Sequence, residues 1–357
     1  MNDEINIAPP STQGKTINET ELFQKYKSSY TPAFIDLSVH AFLMCSSFYS
    51  LHYFRNSWLS VLTIPFLGLL NVKTFQIFHD CGHNAYTPNK NLNYIVGLLL
   101  SGVITHPFFW RHNHNIHHLT NGNIENTHKY SFNETIYHTT KQYKAFSNVT
   151  RCLYKFVRSP LVFFFFTVYF RIFIFNQFKI FRFILYTPHG NTTPKKYLLL
   201  EQVLSTSVFF LILHVSNLFN IFFHFLTSAL ITASLGALTV HSHHTFNPSY
   251  VTGNNDWNYK NSGLKSTALL KLPHWLIYFA SGIDYHHIHH LNAKIPSYNL
   301  KKCHEEIVSK SNMFDNVIKL SMTDCYNNLW LVLYDDEKKR YITFAEADKE
   351  IINYKDM

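Results

Sequence analysis

Apolar and polar residues fall along this chain in long blocks, not in the short alternation of strands. Residues 1–31 are polar, with Pro9, Pro10, Ser11 and Thr12 in the loosest part, a composition that predicts a tail. Two apolar stretches follow, 32–54 and 58–78, parted only by Arg55, Asn56 and Ser57. Each is long enough to cross a hydrocarbon core of about 30 Å at a helical rise of about 1.5 Å per residue. The short break predicts a tight helical hairpin. Lys73, near the end of the second arm, is read as snorkelling to the surface. Residues 199–217 and 219–240 make a second pair, broken at Ser216, Asn217 and Asn220, and contain no Lys or Arg.

Two other apolar segments fit a span poorly. Residues 92–110 are short and end in a polar, His-rich segment, which predicts a re-entrant or interfacial element. Residues 160–186 are rich in Phe, but Arg158, Arg171, Lys179 and Arg182 flank or interrupt them. An Arg at mid-span costs about 3 kcal/mol on insertion scales, so this segment reads as an amphipathic helix in the interface. The expected fold is therefore all-α and integral to the membrane. It has four transmembrane helices in two hairpins and a His-rich cap on one side. The expected divisions are a tail at 1–31, a membrane domain at 32–305 and a C-terminal extension at 306–357.

Parity tests this arrangement. With a cytosolic tail, His79 and His241, at the ends of the second and fourth spans, both emerge on the cytosolic face. A fifth crossing at 160–186 would separate them. The hairpin tips carry one Arg, Arg55, while the other loops carry many basic residues, which agrees with the positive-inside rule.

Composition sharpens the picture. Charged residues are 15% of the 357, against about 25% in soluble domains. A mean hydropathy of -0.08 is too low for a bare bundle of spans, so a substantial aqueous part is expected. The net charge of +9 comes with no nucleic-acid motif, and the basic residues flank apolar runs; a membrane surface is the better partner. Five cysteines without a CxxC pair suit a reduced, cytosol-facing protein. The first thirty residues lack an apolar core, so no cleavable signal peptide is expected.

The 23 histidines carry the chemistry. They cluster as His79 and His83; His112, His114, His117 and His118; His241, His243 and His244; and His286, His287, His289 and His290. On a helix, positions i, i+3 and i+4 share a face. That groups His79 with His83, His114 with His117 and His118, and His286 with His289 and His290. With His244 there are nine imidazoles, enough for two metal ions of four or five ligands each. His112, His243 and His287 lie off these faces, and His241, one turn before His244, is ambiguous. The isolated His40, His52, His138, His189 and His304 read as structural. Imidazole suits iron, zinc and copper alike. Asp80 and Asp284 are candidates to hold the outer ring nitrogens of ligands, although Asp80 also suits a helix cap.

The pattern HDCGH, HNIHH and HHIHHL resembles the three histidine boxes of the membrane fatty-acid desaturases. Trp110-Arg111-His112 resembles the WRH before their second box. Asn255-Asp256-Trp257-Asn258-Tyr259 resembles their EDWDY-like element. The run from His289 through Ile295-Pro296-Ser297-Tyr298-Asn299-Leu300 resembles HHLxxxIPxYNL of the omega-6 (Δ12) branch. Likeness covers roughly residues 60–305. It implies a non-haem di-iron centre held by His79, His83, His114, His117, His118, His286, His289 and His290. His244 is matched to a further histidine after the fourth span, although the surrounding Gln and Glu are here His243 and Asn247. It further implies O2 as co-substrate, a fatty acyl lipid or acyl-CoA as substrate, and a separate electron donor, cytochrome b5 or a ferredoxin, since no HPGG haem motif occurs. The endoplasmic reticulum or a bacterial inner membrane is the expected location, with the site facing the cytosol. A hydroxylase, conjugase or carotenoid oxygenase would share the metal chemistry. A metal transporter would place its ligands near the bilayer midplane, whereas these clusters lie just beyond the spans.

Overall fold

A computed structural model describes residues 18–125, 137–171 and 194–355. Most of the tail and residues 172–186 of the expected interfacial helix lie outside the described residues, as does His189. Helix α1 (Glu19–Lys25) is capped by Asn18, whose side chain accepts from the Glu21 N–H. Although polar in composition, these residues pack onto the cap. Leu22 is buried with Ile288, Leu300 and Ile307, and Lys25 and Tyr26 both bond Glu306.

The first hairpin is α2 (Tyr30–Phe54) and α3 (Ser60–Gly82). Short α4 (Lys90–Val103) and α5 (Trp110–Thr120) follow. After strand β1 (His138–Thr139) come α6 (Asn148–Arg158) and α7 (Pro160–Phe170), which meet at a 61° bend. The second hairpin is α8 (Lys195–Leu218) and α9 (Phe222–His244). The cap then adds α10 (Tyr259–Lys265), β2 (Ala268–Leu270), α11 (His286–Leu291) and α12 (Ser297–Lys310). The chain closes with β3 (Ile318–Leu320), β4 (Leu333–Asp335), β5 (Arg340–Ile342) and α13 (Phe344–Lys355).

Among the described residues, α2, α3, α8 and α9 are the four single helices long and apolar enough to cross a membrane. Their burial explains their order. Helix α3 packs on α2, α4 and α9 and buries Leu67, Leu70, Ile77 and Phe78. Helix α2 turns Phe34, Ile35, Phe42 and Tyr49 outward, and α8 does the same with Leu204, Phe210 and Leu211. Such a ring of exposed large apolar side chains is stable only in lipid. The hairpin tips meet: the His52 Nδ1–H donates to the Phe219 carbonyl (2.8 Å) and His224 Nε2–H to that of Arg55 (3.0 Å). The opposite ends of α3 and α9 therefore lie together, as parity required.

Helix α4 has 14 residues, about 21 Å at the helical rise, too short to span. Its small and polar face (Asn93, Gly97, Ser101, Gly102) is buried, while Tyr94, Ile95 and Leu99 face out. At Gly68 an added Cβ would stand 2.8 Å from Ile231 and 3.0 Å from the Ser228 carbonyl, so α3 and α9 cross at backbone contact. The Thr232 hydroxyl donates to the Gly68 carbonyl there (3.0 Å). Helix α7 packs on α9, with the Ser234 hydroxyl on the Phe164 carbonyl (3.1 Å).

One sequence reading is corrected. Lys73 does not snorkel: it is buried, with its ammonium 2.7 Å from Asp36 and 3.1 Å from the Ser281 hydroxyl. Paired with a carboxylate inside the bundle, it has no reason to reach for water. Short strands also appear in the otherwise helical cap. Strand β2 pairs parallel with β3, and β4 joins β1 in parallel and β5 in antiparallel register.

Candidate metal centre

Four helix ends deliver the histidines. Helix α3 supplies His79 in its last turn and His83 as its cap, whose N–H bonds the His79 carbonyl (3.1 Å). Helix α5 supplies His114, His117 and His118; the Trp110 ring lies flat on His114 at 4.2 Å. Helix α9 supplies His244 from its last turn. Helix α11 supplies His286, His289 and His290. The chain enters α11 through Ser281 and Gly282, both left-handed (φ 53 and 86). At Gly282 a Cβ would fall 2.2 Å from the Ser297 carbonyl, so only glycine fits.

The structure brings all nine expected imidazoles together, in two adjoining groups. His79, His83, His114, His118 and His289 place five ring nitrogens within 4.8 Å of one another, and His117, His244 and His290 do the same. His286 joins the second group, its Nε2 3.0 Å from His244 and 3.1 Å from His290. The groups touch where His118 stacks on His290 at 4.2 Å.

Hydrogen bonding cannot account for this convergence. A neutral imidazole nitrogen either donates one proton or accepts through one lone pair. Yet Nε2 of His114 meets both His79 (2.8 Å) and His118 (3.1 Å), and Nε2 of His118 also meets His289 (3.0 Å). Of these three contacts only two can be bonds. In the second group His286 Nε2 has the same double engagement, and His83 Nε2 is buried with no hydrogen-bond partner. A cation at each focus satisfies every lone pair at once, so the donor set fits two bound metal ions. Protonation is no alternative, because burial, then neighbouring histidines, holds His83, His118, His286, His289 and His290 well below the usual imidazole range.

The remaining histidines sort cleanly. His241 faces elsewhere: its Nε2–H donates to the Asn328 carbonyl (2.9 Å) and its Nδ1 accepts from Tyr137 (2.9 Å), so both nitrogens are committed. His244 instead gives Nδ1–H to the Ser266 carbonyl (3.3 Å), which leaves Nε2 for the cluster. His243 stacks on His286 at 4.2 Å, and His287 turns away to His304. His112 belongs to neither group, and burial lowers it to about 4. His40 bonds Thr74, His52 the Phe219 carbonyl and His138 Gln142. Asp80 acts as a cap: its Oδ2 accepts the Ser297 N–H (2.7 Å), while its other oxygen is 3.6 Å from His79 Nδ1, beyond a hydrogen bond. Asp284 has Oδ1 buried without a partner, and burial raises its carboxyl to about 6.

One feature escaped the sequence reading. Arg111 forks onto Glu201 of α8 with two 2.9 Å bonds, tying the second histidine helix to the third span. A lone carboxylate in an apolar span was the available signal. A cavity of about 180 Å³ lies between α3 and α9. His79, His114, His117, His244 and His286 stand at one end of its lining, and Asn71, Val72, Ala229 and Ala233 extend it along the spans.

The fatty acid desaturase family model matches residues 56–316, well over half of the chain. The chain belongs to the fatty acid desaturase family. Among its relatives, a fatty acid desaturase of Bacillus subtilis (strain 168) is 26% identical over 95% of this chain and 88% of its own length. An sn-1 oleoyl-lipid 12-desaturase of Picosynechococcus sp. is 24% identical over 82% of each chain. A chloroplastic omega-3 fatty acid desaturase of Ricinus communis is 37% identical, over 22% of this chain and 16% of its own length. Membership makes the chain a membrane-bound desaturase acting on fatty acyl lipids, and the quoted motifs take on structural roles. Trp257 Nε1–H donates to the Asn121 carbonyl at the end of α5 (2.8 Å). Tyr298 bonds the Tyr86 carbonyl (2.9 Å), and the Asn299 side chain bonds that of Tyr26 (3.0 Å).

Proposed function

We propose that this desaturase inserts a second cis double bond, at the omega-6 (Δ12) position of an oleoyl-type chain, using O2 at a di-iron centre. The observation that carries the reading is the convergence of nine imidazoles, in groups of five and four, at the head of an apolar cavity. His79, His83, His114, His118 and His289 would hold one iron, and His117, His244, His286 and His290 the other. Bound iron supplies the O2-derived oxidising power that an unactivated C–H bond requires. Adjacent methylenes, O2, two electrons and two protons give one cis double bond and two waters.

The protein's share is positioning and exclusion. Trp110 fixes the His114 ring, and the Arg111–Glu201 fork fixes the helix that bears it. Val72, Phe75, Ile104 and Val240 give the cavity an apolar wall that keeps water from the reacting carbons. The helix ends bearing the histidines face the cytosol, in the endoplasmic reticulum or a bacterial inner membrane. There a separate carrier, cytochrome b5 or a ferredoxin, delivers the electrons. The regiochemistry rests on the IPSYNL run and on the oleoyl-lipid 12-desaturase among the relatives.

The test is fatty-acid analysis of a yeast strain that makes oleate but no dienes, expressing this chain. A new 18:2 with its second double bond at carbon 12, absent from a His118→Ala control, is the expected result. A hydroxylated product, or a double bond elsewhere, would replace the assignment.

A further inference from the structure

Among the histidines outside both groups, buried His287 and half-buried His304 are bonded to each other. His287 is fully buried, with its Nε2 3.0 Å from Nδ1 of His304 on α12. His304 is half-buried and lies flat on Phe314 (5.2 Å, 4°), with Tyr285 at 5.0 Å. Phe314 also meets the His287 ring edge-on at 4.6 Å. Phe314 itself belongs to an apolar cluster with Leu22, Ile288, Leu300, Ile307 and Val317. A plain aromatic pair would fill such a nest without the desolvation that two imidazoles cost.

The position of the pair is informative. His287 is one peptide unit from His286, whose Nε2 lies 3.0 Å from His244 within the four-histidine group. From half-exposed His304 to that group the path is one hydrogen bond and one peptide link. By contrast, the five-histidine group is wholly buried. Outside, His304 is bordered by exposed Lys319 and Glu305, and Lys301 lies one turn away on the same helix.

We propose that His304 and His287 form the bridge by which electrons cross the cytosolic cap to the metal centre. This rests on the oxidative reading above. In each turnover a reduced one-electron carrier protein is oxidised twice. The two electrons, with two protons and two substrate hydrogens, leave as water formed from O2. Neither imidazole is consumed, and no bond in either ring forms or breaks. The pair supplies a short, hydrogen-bonded medium flanked by the Phe314 and Tyr285 rings.

The experiment compares His304→Phe, which keeps a ring against Phe314 and removes the nitrogen facing His287, with His304→Gln, which can still hydrogen-bond. Each purified protein is assayed for iron content, for product from one turnover after dithionite reduction and O2, and for steady-state turnover. The carrier is reduced ferredoxin or cytochrome b5, whichever supports the parent. The expected result is parental iron and parental dithionite-driven product in both variants. Carrier-supported turnover is largely lost in His304→Phe and partly recovered in His304→Gln. Undiminished carrier-supported turnover in His304→Phe overturns the bridge. So does a parallel loss of iron or of dithionite-driven product in both variants, which would make the pair merely structural. A parent that forms no product after dithionite reduction would count instead against the oxidative reading.

Discussion

Adjacent histidines on one helix point about 100° apart, and this centre uses that divergence. His118 joins the five-membered group and His117 the four-membered one; on α11, His289 and His290 split the same way. Two HxxHH helices thus each serve both foci. Replacing His118 or His289 with Ala is expected to abolish desaturation and lower bound iron, measured by metal analysis of the purified protein. His287→Ala is expected to retain its iron, because its ring faces His304; loss of all iron there would show that the wrong face was chosen. The same logic separates neighbours one turn apart: His244→Ala loses iron, whereas His241→Gln keeps it. The sequence spacing grouped the eight box histidines on three helix faces that the structure brings together. It left His241 and His244 undecided, because the choice depends on Tyr137 and Asn328, 104 and 87 residues away. Lys73 was misread for the same kind of reason, since its partner Asp36 sits on another helix.

At the scale of elements, the four spans were legible because length and apolarity alone decide whether a helix suits lipid. Their lateral order was not, for it is set by close contacts such as Gly68 against Ile231. Gly68→Val would force α3 and α9 apart and is expected to cost about 2 kcal/mol, the usual range for overpacking, read as a lower melting temperature in detergent. The Arg111–Glu201 fork, whose Glu201 is buried and whose Arg111 is partly buried, makes a sharper prediction. Removing one partner strands a charge, so Arg111→Ala or Glu201→Ala should each cost about 3 kcal/mol or more. The double apolar variant Arg111→Met with Glu201→Leu should cost much less. Equal losses in single and double variants would mean that the pair does not act as a unit.

For the whole molecule, the cap is where sequence patterning ran out. Its strands are two or three residues long and pair across large separations, as β2 does with β3 and β1 with β4, so no local alternation announces them. The docking of α1 was equally hidden in polar composition. Lys25, then Lys310 and Tyr26, holds the Glu306 carboxyl down to about 2 from its ordinary 4.5. A depressed carboxylate contributes fully above its unfolded value and loses that contribution as pH falls toward the folded one. Amide exchange across residues 19–26 should therefore be slower in the parent than in Glu306→Gln at pH 6, with the difference fading between about pH 4.5 and 2. A difference that persisted undiminished at pH 2 would show that the Glu306 charge does not hold the contact, and no difference at pH 6 would remove Glu306 from it.

All of these scales meet in the two histidine foci, and counting metal there is the most direct measurement. Purified protein reconstituted with iron is expected to bind two non-haem irons per chain, with spectroscopy showing a coupled pair and His118→Ala falling below two. A single metal per chain, or two uncoupled ions, would contradict the account.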